Sequence, residues 1–290
     1  MTASSMGSAP VAGVVVPPRT LSLDLRAIKV VVQRDLIRTY QDRTRFISQL
    51  IQPVLFLFVL GSGLSSLTGS ATGPIDLRTF MFPGILATST LFTAMFSAMS
   101  IVWDREFGFL REMLVAPVRR SSIILGKALA GATIATAQGS IVLILGAFVH
   151  VPFTSGLVVT LVAEVFLLSF TLTAFGLAIV ARITQVQTVM GLMQMLLLPL
   201  SFLSGALYPL SNLPTWLSIV VRFNPLTYAV HPVRTAVFAQ LTLPDAVRQR
   251  LNPPLTWFGW DVPTGLQLGL VFAMGAALML VAIRQFQKVE

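Results

Sequence analysis

Six stretches of about twenty mostly apolar residues run through this 290-residue chain, and they decide which solvent it folds in. A helix needs about 20 residues to cross roughly 30 Å of hydrocarbon. Lipid offers the backbone no partner, so each crossing segment must satisfy its own amides, and continuous apolar runs of this length do so as helices. Hydropathy places the spans near residues 46–64, 80–102, 123–149, 157–181, 188–208 and 264–284. Composition agrees: 11% of residues are charged, against about 25% in an average soluble domain. The expected fold is an all-α membrane protein with six transmembrane helices, forming one domain over residues 46–290.

The formal charge of +9 would raise the question of nucleic acid in a soluble chain. Here the basic residues crowd at the ends of apolar runs, with no nucleic-acid motif between them, so no nucleic-acid partner is expected. Arg19, Arg26, Lys29, Arg34, Arg38, Arg43 and Arg45 precede the first span, and Arg105, Arg111, Arg119, Arg120 and Lys127 follow the second. Arg182 follows the fourth, and Arg284 and Lys288 close the chain. The opposite side carries Arg78, Arg222, Arg234, Arg248 and Arg250, four of them in one long connection. Positive loops stay inside, so both termini are expected in the cytoplasm and the chain in a bacterial cytoplasmic (inner) membrane. There is no cysteine, and His150 and His231 lie far apart, so neither a disulfide nor a metal cluster is expected.

Residues 1–20 hold a short apolar patch at 11–16 followed by Pro17-Pro18. No Lys or Arg precedes the patch and it is too short for an export signal, so a disordered cytoplasmic tail is expected. Over 21–45, Leu25, Ile28, Val32, Leu36 and Tyr40 recur at helical spacing, with Arg26, Lys29, Arg34 and Arg38 off that stripe. Such a helix is expected to lie in the headgroup layer, apolar face toward membrane lipids. Between 208 and 264 the chain is apolar yet dotted with Pro209, Pro214, Pro225, Pro232, Pro253 and Pro254. Residues 213–223 form an apolar helix too short to cross, expected to be re-entrant or interfacial and to border the pathway.

No motor is encoded. A phosphate-cradling loop needs Gly, four residues, then Gly-Lys-Ser/Thr. The only Gly-Lys pair, Gly126-Lys127, has Ser121 in place of the first Gly and Ala128 after it. No catalytic residues are expected.

The most informative stretch is the connection after the second span, from Trp103 to Arg120. Phe107, Leu110 and Leu114 fall on one helical face and Arg105, Glu112 and Arg119 off it, predicting one short amphipathic helix stopped by Pro117. An apolar knob flanked by Arg and Glu can insert into a cleft of a soluble ATPase.

At these residues the chain resembles the type-two ATP-binding-cassette (ABC) exporter permeases, a family that includes drug, natural-product and lipo-oligosaccharide exporters. The pattern reads Glu106, Gly108, Leu110, Glu112, Pro117, Arg119-Arg120 and Gly126-Lys127, with Phe109 in place of a small polar residue. A second match runs through Phe202-Leu203-Ser204-Gly205, Tyr208-Pro209-Leu210, Leu213-Pro214-Thr215-Trp216-Leu217 and Asn224-Pro225-Leu226-Thr227-Tyr228 to Arg234. His231 stands where many members carry an acid, and Gln52-Pro53 is a weaker third match. The resemblance implies a dimer with a second permease copy or paralogue. It also implies two nucleotide-binding ATPase subunits, which hold the ATP and Mg and dock on Arg105, Glu106, Gly108, Leu110, Arg111, Glu112, Pro117, Arg119 and Arg120. Gly205, Tyr208, Pro209, Pro214, Asn224, Pro225 and Tyr228 are expected to form an extracellular gate.

Within the spans, Ser89, Thr93, Ser97 and Ser100 repeat at helical spacing beside Phe92 and Phe96, either for helix packing or as a substrate-facing stripe. Gln187, Met190, Met193 and Gln194 in the fifth span leave the same two readings open. Glu164, the only acid inside a span, lies about 12 Å from the span's outer end and is either a pathway residue or a structural hydrogen-bond partner. Gly265, Gly269, Ala273 and Ala277, and likewise Gly131, Ala135 and Gly139, form small-residue strips suited to close helix approach.

Together these features predict a permease subunit moving an amphipathic, drug- or lipid-like substrate outward. Export of a lipid-linked saccharide or cell-wall precursor is the alternative within transport. A secondary transporter or channel is the alternative outside it, poorly served by one intramembrane acid.

Overall fold

The computed structural model describes residues 20–63, 76–116, 118–149, 151–207, 214–241, 244–257 and 260–289. Residues 1–19 of the expected tail, Pro117, His150, Tyr208 and Pro209 lie outside them.

Five helical segments are long and apolar enough to cross a membrane, so the protein is an all-α multi-pass membrane protein among the described residues. α1 covers Leu21–Gln41. α2, Arg43–Val54, opens the first span, whose helix widens into π turns over Leu55–Leu60 directly after Pro53. Pro53 has no N–H to give and its ring crowds the preceding turn, which loosens the ladder there. α3 (Leu77–Ala98) runs through a turn at Met99 into α4 (Ser100–Glu106), and α5 covers Phe109–Val115. α6 (Arg120–Leu145) and α7 (Ser155–Val180) supply the third and fourth spans. α8 (Val186–Phe202) holds only 17 residues, or about 26 Å of helix. α9 (Thr215–Phe223), α10 (Thr227–Ala239) and α11 (Asp245–Leu251) follow, then α12 (Thr264–Val289). A two-residue hairpin pairs Thr256 with Asp261 and Trp257 with Trp260, a detail absent from the all-helical expectation.

α3 is the central helix. Its apolar window is 72% buried, against 17% for that of the first span, because α6 and α7 pack on it from both sides and α12 closes over α7. The core divides into one cluster around Leu91, Met95, Leu172 and Phe286, and another around Phe82, Leu86, Val142 and Phe238.

The structure corrects the reading of α1. The helix docks along α6 through Asp24, Val31 and Asp35, all buried, while Leu25 and Tyr40 of the apolar stripe stay exposed and Ile28, Val32 and Leu36 sit half-buried. A periodicity count treats Asp24 and Asp35 as solvent-facing, whereas ion pairing makes theirs the buried face. Gly126 permits this approach: a Cβ there would stand 2.9 Å from the Val31 Cβ and 3.3 Å from the Ile28 carbonyl oxygen. The chain bends at Asp42, whose carboxylate accepts from the Arg45 amide (3.2 Å) and starts α2, so residues 43–45 belong to the first span.

The single amphipathic helix expected after the second span is two. Gly108, at φ +82°, breaks it between α4 and α5, a left-handed conformation that favours glycine. The break separates the predicted face: Leu110 is buried and Phe107 exposed. The small-residue strips also divide. Gly131 and Gly139 meet Thr173 and Val165 of α7, whereas Gly265 and Gly269 have nothing within 4 Å of a Cβ position among the described residues.

Gly126→Leu is expected to lift α1 from α6, seen as faster trypsin cleavage at Lys29 and Arg34 with the spans intact. Cleavage at the wild-type rate would show that this close approach does not hold the helix down.

Candidate functional site

Lys127 sits two turns into α6 with no exposed side-chain surface. A lysine ammonium in such a place requires counter-charges. Its Nζ donates to Oδ1 and Oδ2 of Asp35 on α1, at 3.1 and 2.8 Å, and pairs with Asp104 on α4. Arg34 joins from α1, bridging Asp104 and Asp35. Burial works against the charge of Arg34, but the Asp104 and Asp35 carboxylates outweigh it and hold the guanidinium above its ordinary value. Two cations and two carboxylates therefore cancel, and three separate elements are fastened at one point. Ser100 donates to Asp35 Oδ2 (3.4 Å), and Arg119 pairs with Asp24 (3.3 Å) further along α1.

Sequence reading missed this cluster, grouping Lys127 with the charges of the second connection and giving Asp35 no role. The signals were present: a lysine inside a predicted span, and Asp24 and Asp35 spaced with Val31 at 7 and 4 residues on one helical face.

The residues expected to dock a partner separate into two groups. Arg105 Nη1 and Nη2 donate to the carbonyls of Ile183 (2.7 Å) and Ala181 (2.9 Å), satisfying the end of α7. Glu106 Oε2 accepts from the Val186 amide (2.9 Å) and so caps α8. Leu110 is core, Arg119 is tied to α1, and Arg120 reaches the Gln287 carbonyl (3.4 Å). These residues hold the connection to α1, α7, α8 and α12. Arg111 and Glu112 remain exposed, together with Phe107 (66%), Phe109 (50%) and Val115 (86%), all within nine residues of sequence.

The predicted pathway residues fall in several places. Thr93, Phe96, Ser97 and Ser100 line a cleft of about 180 Å³ between the α1–α2 bend and α3 and α6. Within it Thr93 and Ser97 donate to carbonyls of their own helix, at 3.0 and 2.8 Å. Phe92 and Ser89 line a separate groove with Gln52, Pro53 and Leu198. Met190 and Gln194 lie on the exposed face of α8, opposite its buried Val189, Met193 and Leu197. Glu164 is buried in α7 and its Oε2 has no hydrogen-bond partner among the described residues.

At the opposite end, Asn224 donates to the Leu200 carbonyl (2.8 Å) and accepts from the Leu226 amide (3.0 Å), joining the open end of α8 to the start of α10. Arg234, buried on α10, donates to the carbonyls of Gly205 (2.9 Å) and Ala206 (3.2 Å) and lies over the Phe80 ring. Pro225 and Tyr228 are buried beside them and Pro214 is exposed. Of the expected gate residues, Gly205 and Asn224 are thus joined through α10.

The family model described as ABC-2 type transporter matches residues 26–238. The ycf38 protein of Cyanophora paradoxa, named as a transport permease, is 31% identical over 72% of this chain and 73% of its own length. YbhR of Escherichia coli, named for multidrug ABC transport, is 31% identical over 59% of this chain and 46% of its own. DrrC of Mycobacterium tuberculosis, named for doxorubicin resistance, is 25% identical over 75% and 81%.

Lys127→Met leaves two buried carboxylates with only the partly exposed guanidinium of Arg34 in close contact and Arg38 at 3.8 Å, and is expected to cost about 3–5 kcal/mol of stability. Adding Asp104→Asn restores the charge balance and should recover part of that loss in thermal unfolding. A double variant less stable than Lys127→Met alone would contradict the charge-balance account.

Proposed function

The chain belongs to the ABC-2 type transporter family and is a transmembrane permease, and on that premise we propose that it exports an amphipathic substrate under the control of a separate ATPase subunit. The observation that carries the coupling half is the exposed surface of Phe107, Phe109, Arg111, Glu112 and Val115. Burying such side chains in a partner's cleft contributes about 1.5–3 kcal/mol each for the larger ones. Because Arg105, Glu106, Leu110 and Arg119 fasten the same loop inward, a push on α5 reaches α1, α7 and α8 instead of being absorbed locally. ATP and Mg belong to the partner in this reading.

The orientation follows the charge count, with α1, α4 and α5 cytoplasmic and α9–α11 outside. α8 completes the six as the fifth span in chain order, short because the segment after it folds back through α9 and α10. Residues 21–41 serve as a helix packed along α6, the permease domain begins at Arg43, and the unit is a dimer in a bacterial inner membrane. Multidrug transport and doxorubicin resistance are named for two relatives, which supports an apolar, drug- or lipid-like cargo here.

Two measurements test this reading. Glu112→Arg and Phe109→Asp should each weaken ATPase binding by roughly 2 kcal/mol, about thirtyfold, with unchanged membrane insertion. Export at the wild-type level in both variants would remove α5 from the coupling. Since the chain lacks cysteine, Glu112→Cys and Gln249→Cys report sidedness by impermeant labelling. The two sites should label from opposite sides, and labelling from one side would overturn the orientation.

A further inference from the structure

The cleft between the α1–α2 bend and α3 holds more positive charge than the protein itself neutralises. Asp35 and Asp104 are already matched by Lys127 and Arg34. Two further guanidinium groups remain in the cleft. Arg38 lies 5.0 Å and Arg45 4.9 Å from the centre of the Trp103 ring, so one indole orders both. Arg38 reaches Asp104 only at 3.8 Å, and no carboxylate among the described residues lies within 4.0 Å of Arg45. Arg45 donates one long hydrogen bond, 3.5 Å, to the Phe96 carbonyl. The nearest spare acid is Asp42, whose Oδ1 accepts from the Arg45 amide at the start of α2. Counting Arg38, Arg45 and Asp42, the cleft keeps a net positive charge.

Its shape is amphipathic as well. Arg38 and Asp42 lie at the bend before the first span and Arg45 in its first turn. From Trp103 the lining runs along α4 and α3 to Thr93, about 15 Å, and is completed by Phe46, Phe96, Gly131 and Ile134. Two forked donors therefore stand beside the apolar surfaces of Phe46, Phe96, Trp103 and Ile134 and the hydroxyls of Thr93 and Ser97, a mixture that matches a phosphate carried on a hydrocarbon chain. Guanidinium pairs bind phosphate oxygens bidentately, and a low-dielectric wall on the apolar side strengthens that attraction.

We propose that this cleft is a binding site for the phosphate headgroup of a single- or double-chain amphiphile, with Arg38 and Arg45 as its cations and Trp103 as their platform. The inference rests on the permease reading and adds the ligand's chemistry to it. The phosphate reaches the site either on transported cargo or on a resident membrane lipid, and the two share the same recognition. The site borders the ion cluster, since Asp35 and Ser100 line it too, so a bound anion lies next to the joint that connects α1, α4 and α6.

The test uses the full chain in neutral detergent, with retention of dilauroyl phosphatidic acid read by native mass spectrometry. Dilauroyl phosphatidylcholine and inorganic phosphate serve as comparison probes. Wild-type protein should retain phosphatidic acid in preference to phosphatidylcholine, and Arg38→Gln with Arg45→Gln should weaken retention about tenfold or more. Gln49→Trp, which fills the cleft and keeps both cations, should weaken it too, whereas Arg26→Gln on the exposed side of α1 should bind as wild type. Undiminished retention in the double arginine variant and in Gln49→Trp overturns the site. Equal affinity for inorganic phosphate overturns the requirement for an acyl chain. In vesicles with the ATPase subunit, ATP-driven movement of phosphatidic acid marks cargo, and binding without movement marks a resident lipid; either supports the assignment. Retention needs neither ATP nor partner, so it can fail while coupled ATP turnover persists, and the reverse failure would strike the permease reading alone.

Discussion

A fully buried ammonium group governs how this protein is assembled at one end. Lys127 projects from a helix whose other faces are apolar, and a cation there is tolerated only with carboxylates in contact. Those carboxylates come from two other elements, Asp35 of α1 and Asp104 of α4, so neutralising one charge fixes the position of three helices. Gly126, the residue before the lysine, lets α1 come close enough for the pairing. A Gly-Lys pair that suggests phosphate binding by its letters is therefore, in this fold, a docking notch beside an anchor.

The same economy appears where the helices end. Arg105 takes up carbonyls at the end of α7 and Glu106 an amide at the start of α8, so one dipeptide closes the turn between two spans. Asn224 and Arg234 do the equivalent work at the other end, taking up carbonyls after α8. Near lipid an unpaired backbone group is expensive, and polar side chains reaching the helix termini supply the missing partners. Charged residues that a sequence reading assigns to a docking partner are thereby used inside the chain, and what remains for a partner is Arg111, Glu112 and the apolar side chains around them.

Much of the fold was legible in advance because hydrophobic length is a strong, local signal. The span readings at 80–102, 123–149 and 157–181 fall within, or within a residue of, Leu77–Glu106, Arg120–Val149 and Ser155–Val180. The fifth was read too long, as 188–208, because apolar residues continue past Phe202 although the helix ends there. α10 was not foreseen: the connection was read as apolar and dotted with prolines, Pro225 and Pro232 among them, and burial against α3, α7 and α12 supports the helix over Thr227–Ala239. The break at Gly108 was visible as a letter but not as a left-handed φ, so the apolar face drawn through Phe107 and Leu110 did not survive.

By itself the sequence determined the solvent, the helical class, the family-like motifs and the connection where force could enter, since each depends on residue type and spacing along the chain. Only the tertiary structure decided which charges face each other. Asp35 and Lys127 are 92 residues apart, and Arg38, Arg45 and Trp103 meet only after α1 folds back on α6. Electrostatic partnership falls with distance in space and not in sequence, so a charge that reads as a solvated face in one dimension becomes part of a buried joint or a basic cleft in three.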